Sequence, residues 1–158
     1  MKARMWIIGL VAGAIPWTSQ AQDRVIDTPK TADGLVIYLD FQPAAMAMNW
    51  KGFHRSTDND TVIHPTRPEL DRHVEVVVVD EQTKQRVGDA RVEITLLRNT
   101  SSWASPTYTL DKMFVGPKAS YGTVIPMNPS DAYTTEVSVR RPNRSAPIRV
   151  RFEAAPVR

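Results

Sequence analysis

The sequence contains no cysteine. Disulfides, thiolate metal sites, iron–sulfur clusters and thiol nucleophiles are therefore excluded, as is a lipid-anchored cysteine. Glycine is scarce, at 7 in 158 residues, and forms neither a phosphate-cradling loop nor a nucleophile elbow. With only 3 histidines, there is little material for a Ser/His/Asp triad and no zinc-protease helix motif. Asp58-Asn59-Asp60-Thr61 lacks the downstream glycine and glutamate of a calcium loop and reads as a turn. These absences point to a protein that is not an enzyme.

One apolar run is present, and it is short. Met1-Lys2-Ala3-Arg4 is a basic start, residues 5–17 are apolar, and Ser19 and Ala21 put small residues at the −3 and −1 positions of a signal-peptidase site. A run of about 13 residues falls short of the roughly 20 a helix needs to cross a bilayer. Residues 1–21 are thus expected to be a cleaved signal peptide, residues 22–33 a polar leader and residues 34–158 one domain. The mature protein is expected to be periplasmic or secreted, with no stable membrane insertion. Without the two basic residues of the signal, 18 basic and 17 acidic residues remain, a net charge of +1. That near-neutrality argues against a nucleic-acid surface. The arginines from Arg140 to Arg151 read as the solvated side of a strand pair.

Periodicity in the domain is that of strands. Leu35, Ile37, Leu39 and Phe41 share one face at period two. Pro43 closes that strand, and residues 44–50 suit a helical turn. Residues 51–71 form a long polar connection. The β-branched stretch from His73 to Val79 reads as a strand buried on both faces. Residues 91–96, 108–114, 122–127, 133–140 and 148–153 follow as further strands. About seven strands with short turns predict an all-β, immunoglobulin-like antiparallel β-sandwich, with a small barrel as the alternative.

The candidate chemistry lies in imidazole and thioether groups. His54 and His64 fall in the long connection, and His73 opens the central strand. Met46 and Met48 form a Met-x-Met pair, while Met113 and Met127 stand at strand ends. Thioether and imidazole donors together favour copper, Cu(I) above all. Set against this, methionines at strand ends are commonly core filler.

The order of motifs resembles a known family. His73-Val74-Glu75-Val76 leads through Thr83 to Asp89 into Ala90-Arg91-Val92. Leu110-Asp111-Lys112-Met113, Ser120-Tyr121-Gly122 and Val137-Ser138-Val139-Arg140-Arg141-Pro142 come later. This is similar to the small periplasmic iron- and copper-binding proteins related to iron transporters, over residues 34–154. The resemblance implies an immunoglobulin-like sandwich whose metal, copper or iron, is held by a methionine and histidines near one end. Transferred by position, His73 and Met113 are the implied ligands, and Tyr121 and Gly122 fall in a His-Tyr-Gly segment. The histidine implied before Tyr121 is Ser120 here. His64 or the Met46/Met48 pair are the residues available to replace it. The chain is accordingly expected to be an exported metal-binding or metal-handling accessory protein with an envelope or transporter partner. The alternative is a non-catalytic sandwich that binds a protein partner along an edge strand and has no metal site.

Overall fold

The structure, a computed structural model, describes residues 25–26, 28–48, 54–55, 70–98, 106–115, 117–127 and 132–153. The expected signal peptide and His64 lie outside these residues. The described strands are β1 (Val25–Ile26), β2 (Lys30–Ala32), β3 (Leu35–Pro43), β4 (His54–Arg55), β5 (Asp71–Asp80), β6 (Arg91–Arg98), β7 (Thr107–Val115), β8 (Lys118–Pro126), β9 (Tyr133–Arg140) and β10 (Ile148–Glu153). One short helix, α1 (Ala44–Met48), follows β3. All seven strands expected from periodicity are present, and three short ones join them.

The strands run in the order β1-β3-β5-β8-β7-β6-β9-β10, with β2 also on β3 and β4 on β7. Every pairing is antiparallel. Strand β7 makes the sandwich corner. Its first half pairs β6, with Leu110 opposite Val92, and its second half pairs β8, with Asp111 opposite Gly122. At the far end β10 lies against β2, and Arg144 reaches Asp33 at 3.4 Å, so the path nearly closes. The segment read as a leader thus pairs with the domain: β1 and β2 both lie on β3. Asp33 and Gly34, at φ 48° and 75°, form the tight turn between β2 and β3. Both left-handed positions are what a two-residue hairpin turn requires.

Period-two alternation fills the core. Leu35, Ile37, Leu39 and Phe41 of β3 meet Val74, Val76 and Val78 of β5. Val92 and Ile94 of β6, Val137 and Val139 of β9, and Phe152 of β10 face them from the other sheet. Tyr121 of β8 joins this core and carries a polar handle. Its hydroxyl donates to the Val87 carbonyl at 3.1 Å and accepts from the Ala90 amide at 2.9 Å. The long β5–β6 connection is thereby fastened to β8. Tyr121→Phe is expected to lower stability by about 1–3 kcal/mol, because two backbone groups lose a buried partner. Urea denaturation reads this directly.

The expected solvated face is also found. Arg149 and Arg151 of β10 lie 3.8 Å and 3.0 Å from Glu136 of β9, and both arginines are exposed. Arg141 approaches Asp80 at 3.8 Å. Exposed pairs of this kind contribute little to stability, but charge on an edge strand discourages edge-to-edge pairing.

Candidate metal site

Strands that alternate in a sandwich normally turn one face to the core and the other to water. Here β3, β5, β8 and the second half of β7 also bury part of the other face. Gln42 of β3 stands directly opposite His73 of β5, and Asp40 opposite Glu75. Met113 of β7 stands opposite Ser120 of β8, and Gly122 opposite both Glu75 and Asp111. Asp40, Gln42, His73, Glu75, Met113 and Ser120 are all buried, and α1 packs against β3 and β5. Polar side chains with the parity of solvent positions are therefore shut away from solvent.

His73 is the centre of this layer, with 1% of its surface exposed. Burial penalises the imidazolium and pushes its pKa down to about 4. At neutral pH the ring is uncharged, which is the state a metal ligand needs. Its Nδ1 lies 3.0 Å from Nε2 of Gln42. Its Nε2 points at Gly122. A Cβ placed on Gly122 would stand 3.0 Å from His73 Nε2, 2.5 Å from the Met113 methyl carbon and 2.7 Å from the Val74 carbonyl oxygen. The Met113 methyl and His73 Nε2 are therefore no farther apart than the first two of these lengths laid end to end, about 5.5 Å. The methionine sulfur is one bond from that methyl. Glycine at 122 leaves the space in which an imidazole nitrogen and a thioether converge.

The structure brings together the two principal candidates, His73 and Met113, from strands that are not neighbours. Ser120, next to Met113, is fully buried, and its Oγ has no hydrogen-bond partner among the described residues. Among the described residues the other candidates do not join the pair. Met46 is 43% exposed, and Met127 belongs to the core. His64 and the side chains of His54 and Met48 lie outside the described residues. No three His, Asp or Glu residues are grouped to hold a metal among the described residues. Sequence reasoning missed Gln42. Its parity with Tyr38 and Asp40 was visible, but its place opposite His73 depends on the register of β3 with β5.

Chemically, the described residues offer one nitrogen and one soft sulfur donor shut away from solvent, with a hydroxyl beside Met113 and the carboxyl groups of Asp40 and Glu75 in the same layer. Soft donors of this type suit copper better than the hard divalent cations.

The molecule is an antiparallel all-β sandwich with a buried imidazole–thioether pair beneath one sheet. Its fold is that of FetP from uropathogenic Escherichia coli strain F11. A copper-bound variant of FetP superposes with a TM-score of 0.62 at 12% identity, over 85% of this chain and 97% of that one. "As isolated" FetP, expressed in the periplasm of E. coli, superposes with a TM-score of 0.61 at 12% identity, over 85% and 98%. No family model and no curated protein matches the sequence.

Proposed function

We propose that this chain is an exported, periplasmic metal-binding or metal-handling accessory protein, with copper the first metal to test and iron the second. Among the described residues, His73 Nε2 and Met113 Sδ are its protein ligands. The observation that carries this reading is their convergence over Gly122. Three further points support it: the neutral state of His73, the preference of thioether–imidazole pairs for copper, and a shared fold with a protein whose structure is copper-bound. Among the described residues no helix is long and apolar enough to cross a membrane.

The role follows from the donor count. Two protein ligands among the described residues, beside Ser120, leave coordination positions for water or for a donor from elsewhere in the chain or from a partner. A metal held this way exchanges readily, which suits transfer to an envelope or transporter partner better than storage. Nothing in this chemistry calls for a catalytic step, and we assign none.

The test is a titration of the mature protein with Cu(I), Cu(II) and Fe(II). Copper is expected to bind, and His73→Ala and Met113→Ala are each expected to weaken it by more than the 10–100-fold typical of losing an outer-sphere partner. Ser120→His, which adds a third donor beside Met113, is expected to tighten it. Copper affinity unchanged in both alanine variants would overturn the assignment.

A further inference from the structure

We propose that Gln42 is a positioning residue that selects the tautomer of His73 and turns its side-chain amide over when Nε2 takes a metal ion. This rests on the reading of His73 as a ligand, but most of it is testable without metal. Gln42 and His73 are direct cross-strand partners, and Gln42 is 2% exposed. Its amide nitrogen lies 3.0 Å from His73 Nδ1. An amide N–H at that position donates to Nδ1, so Nδ1 carries the lone pair and the proton of the neutral ring sits on Nε2. That is the tautomer that cannot bind metal through Nε2.

A glutamine is suited to both states. Rotating its terminal amide by half a turn exchanges N–H for C=O with almost no change of shape. The carbonyl oxygen then accepts from Nδ1–H, and the Nε2 lone pair faces Met113 and Gly122. Outer partners that accept from the second ring nitrogen fix the orientation of metal-binding histidines and raise their basicity. Proton count is conserved: one proton leaves Nε2, one arrives at Nδ1, and the ring is neutral before and after. Metal uptake through His73 should therefore release no net proton near pH 7. A glutamate at position 42 would hold the metal-ready tautomer permanently, and a leucine would favour neither.

The experiment is a long-range proton–nitrogen correlation spectrum of 15N-labelled protein, metal-free and after anaerobic loading with diamagnetic Cu(I). Wild-type protein is expected to carry the His73 proton on Nε2 when metal-free and on Nδ1 when loaded. Gln42→Glu is expected to carry it on Nδ1 in both states and to bind Cu(I) about 10–100-fold more tightly. Gln42→Leu is expected to lose the bias in the metal-free state. A metal-free wild type protonated at Nδ1 would overturn the proposal, as would tautomer populations indifferent to both substitutions. The metal-free wild-type spectrum needs no variant to fold. If Cu(I) fails to bind while the metal-free spectra behave as expected, the ligand assignment fails and the role of Gln42 in setting the tautomer stands.

Discussion

Gly122→Ala is expected to abolish copper binding and to destabilise the fold by about 1–3 kcal/mol, the usual cost of overpacking a filled interior. The added methyl would stand 2.5 Å from the Met113 methyl carbon, 2.7 Å from the Val74 carbonyl oxygen and 3.0 Å from His73 Nε2. The methionine is flexible and can swing aside. The Val74 carbonyl belongs to the neighbouring strand β5 and yields only if the sheet shifts. The His73 ring is held opposite Gln42. Moving Met113 aside relieves only its own contact and removes the convergence the site depends on, while the Val74 contact is relieved only by a shift of the sheet. Copper titration reads the first effect and urea denaturation the second. A variant with wild-type copper affinity would show that the metal does not bind between these two side chains.

Acid is expected to cost the metal-free protein about 3 kcal/mol through His73 alone. In the unfolded chain this histidine takes up a proton near the ordinary histidine value of 6.5, whereas in the fold burial delays uptake until about pH 4. Between those values the unfolded state binds more protons, so stability falls as pH falls, by about 1.4 kcal/mol per unit. The contribution is fully present above pH 6.5, and no further loss comes from this group below pH 4. Urea denaturation at pH 7 and pH 4.5 should show most of the difference. His73→Gln, which has no group titrating in this window, should remove it, and an equal pH slope in that variant would refute the assignment. Copper added at pH 5 should raise wild-type stability, since a ligand that binds only the folded state adds to it.

Much of the scaffold was legible because strand alternation is local. The period-two pattern of Leu35 to Phe41, the β-branched run after His73, and the alternation of residues 133–140 and 148–153 each marked a strand found in the fold. The short strands β1 and β2 were less visible. Two or three residues carry no period, and their pairing with β3 is a tertiary matter. Asp33-Gly34 has the chemistry of a two-residue turn, but the boundary expected between the leader and the domain divides it. His73, Met113 and the departure at Ser120 were singled out by the resemblance to a known family, which the order of the motifs carries.

What the chain determined alone was its supply of parts: no thiol, three imidazoles, six thioethers, and alternating strands enough for a sandwich. Only the tertiary structure decided which parts meet. Strand β7 changes sheets, and this carries Met113 onto β8, beside β5 and His73. The register of β3 with β5 puts Gln42 opposite that histidine. Gly122, one small residue among seven glycines, becomes the floor of the site because two side chains from different strands lean over it. Alternation assigns a residue to one face of a strand. Whether that face is wet or buried, and what lies across from it, depends on contacts between residues distant in sequence.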